Sequence, residues 1–446
     1  MSETVKTTAA VATSTREAAE HKKKGHRALR AAMFVFFVDM YDVYLPIIAI
    51  APAIAYFSAS GSSTVEMATL TAAIFAASLI GRPLGSIIFG SMGDRVGRRR
   101  TTIIVSAGFT VCTGLIALLP SYASIGALSP ILLVLLRLLD GVFLGGEYTA
   151  ANPLAMEYAP RERRGLYGSL LNVGYPAALG FITIVTIITL QIFPTGDVGA
   201  PYVMWGWRIP FVIGFLLSGS LFVYYLRSVP ESELWTKMPK VKSPLRTLFS
   251  GRNLRSLGIA FVVGTGAWLT LDGTIGAFSG HFKRLGTDVS VINAVVLISA
   301  AFAVCAFPLV GTAGQRYGRR EVFLVLGAVN LIVAPAAFAL AVSNVGNPDA
   351  VVLFAVISIV CALLVWAMIT AYIMEMFPTE VRSSGYGIAY SLPSVLPAFY
   401  TYYMLGLGHF MSYDYTPVVI IAVGGLCLLV GAWISKDLRH VHLEDA

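Results

Sequence analysis

The chain has 446 residues, 57% of them hydrophobic and 13% charged, with a formal net charge of +8 and a mean hydropathy of +0.75. A soluble domain carries about a quarter charged residues, so this composition excludes an ordinary water-facing globule and leaves a polytopic membrane protein with room for about twelve spans of ~20 residues. The basic excess reads as loop topology, not nucleic-acid binding, because no basic patch is interleaved with exposed aromatics, and Cys112, Cys305, Cys361 and Cys427 each stand alone in an apolar run, which indicates neither a disulfide nor a metal site.

Residues 1–28 form a polar tail ending in a basic cluster, without the apolar core of a cleaved signal peptide. Twelve apolar runs follow, at about 30–56, 66–92, 101–120, 131–157, 166–193, 207–227, 254–280, 289–311, 322–342, 350–376, 383–408 and 416–435. In the first, Asp39 and Asp42 lie one turn apart on one face. Arg82 sits in the second. In the fourth, Arg137, Asp140, Leu144 and Glu147 are spaced by three, four and three, which puts three ionisable groups on one stripe of one helix. Such groups do not persist against lipid, where each costs roughly 2.5–3.5 kcal/mol, so the stripe is expected to face a wet, protein-lined cavity. Gly141 and Gly145 on the same helix form a small-xxx-small pair that admits a close neighbour.

Counted at about 1.5 Å per residue from one helix end, Asp39, Arg82 and Glu147 share a depth of roughly 16 Å. Two acids and an arginine in one layer can exchange a proton, and protonating one acid frees the arginine for an anion. Asp39, Asp42 and Glu147 are therefore the proton-coupling candidates. Arg82, Arg137, Tyr41, Tyr148, Trp268, Asp272 and Tyr390 are the substrate-binding candidates. The bland alternatives are a permanent Arg82–Glu147 pair, Asp140 merely neutralising Arg137, and aromatics that only pack.

Basic residues concentrate in alternate loops: Arg95, Arg98, Arg99 and Arg100; Arg161, Arg163 and Arg164; a cluster from Lys237 to Arg255 that includes Lys240 and Lys242; Arg316, Arg319 and Arg320; Lys436 and Arg439. The intervening loops hold only Lys283 and Arg284. That asymmetry puts both termini in the cytosol. The chain also repeats: Gly-Ser-Met-Gly-Asp-Arg-Val-Gly-Arg-Arg at 90–99 returns as Gly-Thr-Ala-Gly-Gln-Arg-Tyr-Gly-Arg-Arg at 311–320, an offset of 221. Glu157, Pro160 and Arg164 are echoed by Glu375, Pro378 and Arg382. The expected organisation is all-α: a tail at 1–28, six helices in 29–227, a cytosolic linker at 228–252, six pseudo-symmetric helices in 253–436, and a short tail at 437–446.

Several ordered motifs together resemble the major facilitator superfamily, and more narrowly its metabolite:proton symporters. They are Asp-Met-Tyr-Asp-Val-Tyr at 39–44, Gly-Arg-Pro-Leu-Gly at 81–85, Gly-Asp-Arg-Val-Gly-Arg-Arg at 93–99, the stretch Arg137 to Glu147, Trp-Gly-Trp-Arg-Ile-Pro-Phe at 205–211 and Glu-Met-Phe-Pro-Thr-Glu-Val-Arg at 375–382. The resemblance implies alternating access of two halves around a central solute site, with a proton as the coupling ion and no other cofactor. The family usually has Glu at the place of Asp39 and Gln at that of Asp140, and the two prolines of the eleventh run, Pro393 and Pro397, are a further departure. Asp94, Arg95, Arg98, Arg99, Glu157, Arg164, Arg316, Glu375 and Arg382 read as a cytosolic gate, where modest surface pairs suit a latch that must open.

The reading is a monomeric transporter in the inner (plasma) membrane that imports a small carboxylate-type organic anion with protons. Its partners are a small-molecule substrate and the lipid bilayer. The alternatives are uptake of a zwitterionic osmolyte, an efflux antiporter and a non-transporting receptor. No nucleophile–base pair, phosphate loop or metal spacing suggests an enzyme. His281 and His409 read as interfacial.

Overall fold

The computed structural model describes residues 2–237 and 243–440, so Lys240, Lys242 and 441–446 of the expected linker and tail lie outside the described residues. Among the described residues the secondary structure is helical, without a strand. Lipid offers backbone amides no partner, and a helix satisfies them within its own segment.

In chain order the spans are α1 (Ser2–Tyr44, continued by short turns to Phe57), α2 (Thr64–Val96), α3 (Arg98–Ala117), α4 (Leu128–Glu157), α5 (Arg164–Asn172 and Gly174–Ile192) and α6 (Arg208–Ser228). The second set is α7 (Gly251–Leu271, a wide turn Asp272–Gly276, then Ala277–Arg284), α8 (Val289–Tyr317), α9 (Arg319–Ser343), α10 (Pro348–Met374), α11 and α12 (Thr416–Ile434). Eleven of these are long and apolar enough to cross a membrane. The twelfth is α11, which Pro393 and Pro397 break into Arg382–Ser391, two single turns and Tyr400–Leu407. Each proline removes an amide donor and clashes with the preceding turn, and that is the structural meaning of the departure noted in the sequence. Helix α1 begins inside the stretch read as a tail, so helix and first span are continuous.

Each set forms its own bundle. In the first, α1 packs on α5, α2 on α4, and α3 on α4 and α6; in the second, α7 packs on α12, α8 on α10, and α9 on α10 and α12. The bundles meet where α2 and α4 touch α11 and where α5 touches α8 and α10. The outer surface is apolar: Ile88, Ile104, Leu135, Leu216, Leu309 and Ile332 are all exposed, an arrangement that only lipid makes favourable.

The α2–α4 crossing is the tightest contact in the fold and it positions the charges. A Cβ added at Gly85 would lie 1.8 Å from the carbonyl oxygen of Val142, and one at Gly145 would lie 2.1 Å from that of Arg82. Only glycine lets these backbones approach so closely, as the Gly141/Gly145 pair predicts.

Candidate functional site

Three helices of the first bundle place their ionisable groups in its interior. Asp39 on α1 accepts a 2.7 Å ion pair from Arg82 on α2. Asp42, one turn along α1, holds Arg137 of α4 at 2.6 Å, and Asp140 holds the same guanidinium at 2.8 Å. Arg137 also donates to the Ser78 hydroxyl and to the Asp42 carbonyl, both at 3.3 Å. Glu147 accepts from Ser106 of α3 at 3.2 Å, and its Oε2 has no partner. All six ionisable side chains are fully buried. The expected alternative pair is thus corrected: Arg82 pairs with Asp39, and Glu147 turns toward α3.

A sheet of aromatic rings covers this layer. The Arg82 guanidinium lies 5.7 Å from the Tyr148 ring centre. Tyr148 stands 4.7 Å from Tyr390, which stands 5.7 Å from Trp366, itself 4.7 Å from Trp268. Trp366 meets Tyr175, which stacks on Tyr44 with rings parallel and hydroxyls 2.7 Å apart. Above this floor opens a cavity of about 710 Å³ between the bundles, on the face away from the basic loops. Its wall includes Tyr44, Thr183, Gly276, His281, Lys283, Arg284 and Tyr400 and, among the described residues, no Asp or Glu. His281 is buried there and bonds the Asp414 carbonyl at 2.9 Å, so it is a wall residue and not the interfacial one expected. Asp272, with 3% of its surface exposed, does not line the cavity but lies behind Gly276 of its wall.

The opposite side is shut. Asp94 at the end of α2 accepts the backbone amides of Ser383 and Ser384 at 3.1 and 3.0 Å, and the Ser384 hydroxyl at 2.6 Å. A carboxylate at the N-terminal turn of α11 meets both unpaired amides and the positive end of the helix dipole. Glu157 pairs with Arg98 and, at 2.9 Å, with Arg382 across the interface, while Arg98 donates to the Thr379 carbonyl at 3.0 Å. Arg319 pairs with Glu375 at 3.0 Å within the second bundle and holds Gln315, which accepts from Gly165 N of the first. A second polar layer lies between gate and floor: Asn152 donates to the Tyr386 hydroxyl at 2.7 Å and Thr370 to Asn172 at 2.8 Å.

The repeat is exact in chemistry at the start of α3 and α9. Gly97 and Gly318 adopt φ of +120° and +117°, and carboxylates from beyond the sixth and twelfth spans cap the helices. Glu231 accepts from the amides of Arg98 and Arg99, and Asp437 from that of Arg319. At either glycine a Cβ would fall 2.5 Å from an oxygen of the capping carboxylate.

Most predicted groups come together, with four differences. None of the seven substrate-binding candidates lines the cavity itself; Tyr148, Tyr390, Trp268 and Arg82 lie in or under the aromatic layer, whereas Tyr41 donates to the Pro210 carbonyl inside the first bundle. Arg95 and Arg316 are exposed, so the buried gate arginines are Arg98, Arg319 and Arg382. Arg99 does not cross the interface; it binds the Val229 and Leu226 carbonyls at the end of α6. Arg164 is buried within electrostatic reach of Glu375. Sequence reasoning missed Arg319, which the 221-residue offset from Arg98 already indicates, and Tyr44, Trp366 and Tyr400, which nothing in the sequence distinguishes from packing aromatics.

Comparison with known proteins agrees with this geometry. Residues 27–254 match the model described as "Sugar (and other) transporter", and 272–445 that described as "Major Facilitator Superfamily". The chain is 31% identical to the inner membrane metabolite transport protein YhjE of Escherichia coli, covering 94% of this chain and 96% of that protein. It is 30% identical to the proline/betaine transporter of Escherichia coli over 77% of this chain and 69% of that one. Among solved structures, the proton:xylose symporter XylE of E. coli superposes with a TM-score of 0.75 at 16% identity, covering 94% of this chain and 98% of that one. With two six-helix bundles, a solute-sized cavity between them and a tied gate beneath it, the chain is a membrane transporter of the major facilitator superfamily.

Proposed function

We propose that the protein imports a small carboxylate-bearing metabolite together with protons, with the basic loops and both termini on the cytosolic side and the cavity facing out. The observation that carries this reading is the character of the cavity: its wall offers Lys283, Arg284 and His281 and, among the described residues, no acid, and its Tyr44 begins the chain of touching rings that ends at Tyr148 beside Arg82. A wall of one sign gathers solutes of the other. Arg284 is held by Asp414, whereas Lys283 makes no ion pair among the described residues. Proline and betaine, the solutes in the name of one relative, both carry a carboxylate.

The coupling step follows from the buried layer. Arg82 is the cation nearest the floor, and Asp39 occupies it. A proton on Asp39 neutralises the carboxylate and leaves the guanidinium free to bind the solute's carboxylate, so the two are taken up together. Glu147, which has no cation of its own, takes the proton onward. The gate residues then separate and the cavity opens to the cytosol. The chain works as a monomer.

The test is uptake of labelled carboxylates into proteoliposomes with acid outside. We expect accumulation above equilibrium that a protonophore abolishes. Asp39→Asn and Glu147→Gln should keep solute exchange and lose accumulation. Uptake that ignores the pH gradient would refute the coupling.

A further inference from the structure

Among the described residues the buried carboxylates are matched with two exceptions, Glu147, which has only the Ser106 hydroxyl, and Asp272, which alone of the two stands behind the cavity wall. Asp39, Asp42, Asp140, Glu157 and Glu375 each have an arginine, and Asp94 has three donors at a helix start. Asp272 has no cation within ion-pair distance among the described residues, and its Oδ2 has no hydrogen-bond partner. It stands at the head of the wide turn Asp272–Gly276 that interrupts α7. A point 1.5 Å off Gly276 in the Cβ direction is 3.5 Å from Asp272 Oδ1 and 3.5 Å from the Tyr400 ring. Gly276 and Tyr400 both belong to the cavity wall, and the Tyr400 hydroxyl fixes that ring by donating to the Gly276 carbonyl at 3.0 Å. The carboxylate therefore lies directly behind the wall, where Tyr44 and Tyr175 stack on the facing bundle.

A carboxylate taken out of water without a counter-charge is costly, and one kept at that cost beside a solute cavity has a cationic ligand to meet. We propose that Asp272 receives a positively charged nitrogen of the solute, with the aromatic faces of Tyr400 and Tyr44 beside it, so that the substrate class is carboxylates that also carry an ammonium or quaternary nitrogen. This rests on the uptake reading above and narrows it. Arg82, once freed from Asp39, and Asp272 then present opposite charges to one solute, which orients a dipolar molecule between them.

Two isosteric pairs test it on the purified full chain: trimethylglycine against 3,3-dimethylbutanoate, and proline against cyclopentanecarboxylate. Each pair differs in the charged nitrogen. We expect calorimetry to show the nitrogen-bearing member of at least one pair binding about tenfold tighter or more. Asp272→Asn should erase that preference and keep binding of the nitrogen-free member, and Asp272→Glu should restore part of it. Equal binding within both pairs, no binding by either nitrogen-bearing member, or a preference that survives Asp272→Asn overturns the assignment. So does an Asp272→Asn protein that keeps the preference but loses response to the pH gradient, since Asp272 would then carry protons. The wild-type comparison decides the matter if the variant fails to fold. Accumulation of the nitrogen-free acids alone would sink this inference and leave the uptake reading standing; accumulation of no carboxylate would sink the uptake reading itself.

Discussion

Glu157→Gln is the sharpest perturbation of the gate. The carboxylate is 1% exposed and holds Arg98 of the first bundle and Arg382 of the second, with the Ser232 hydroxyl as a third partner. Glutamine keeps the shape and removes the charge, so two guanidiniums remain buried side by side without their shared counter-ion. Breaking one partner of a buried pair costs about 3–5 kcal/mol. The penalty falls on the state with the gate shut, because opening hydrates both arginines. At 1.4 kcal/mol per tenfold, the ratio of shut to open shifts by roughly 100- to 5,000-fold. A protein about 99% shut would then be open at least half the time. Spin labels at Arg163 and Glu380, exposed positions on opposite sides of the gate, read this directly once Cys112, Cys305, Cys361 and Cys427 are replaced. The expected result is a long-distance population in Glu157→Gln that the parent lacks. An unchanged distance distribution in a folded variant would show that the cluster does not hold the gate.

The second bundle supplies the comparison: Glu375→Gln breaks the Arg319 pair inside one body and removes only a longer-range attraction to Arg164 across the interface, so it should lower the Tm and lengthen the Arg163–Glu380 distance far less than Glu157→Gln does, and an equal lengthening would refute that division. Gly85→Ala forces a methyl to within 1.8 Å of the Val142 carbonyl; overpacking of this kind costs about 1–3 kcal/mol, visible as a drop in Tm in detergent, and an unchanged Tm would contradict the close crossing. Arg82→Lys keeps the charge but not the planar fork; we expect the solute's KM to rise about tenfold or more with little change in fold stability, and unaltered transport would remove Arg82 from the site.

The spans were legible because twenty apolar residues leave a mark that no other fold needs, and the two bundles were legible because the repeat preserves the turn chemistry of Gly97 and Gly318. The gate was half legible. Asp94, Glu157 and Arg382 follow from charge at helix ends, but spacing does not tell an arginine that turns inward, as Arg319 does, from one that turns to water, as Arg95 and Arg316 do. The partner of Arg82 was not legible. Shared depth selects Asp39 and Glu147 equally, and the choice depends on how far α4 is rotated by its glycine contact with α2. The aromatic floor left no trace either, because a tyrosine in an apolar helix looks the same whether it packs, meets headgroups or faces a solute.

The grip of Asp94 on α11 is made mostly to main chain: two of its three donors are peptide amides, and only one is a side chain. Nearly any residue can present an amide. Positions 383 and 384, both buried against α2, can therefore exchange among small residues other than proline, and the lock keeps its two amide bonds through changes that would abolish a side-chain pair. Evolution can retune the cavity wall further along the same broken helix without first reinventing how the two bodies close.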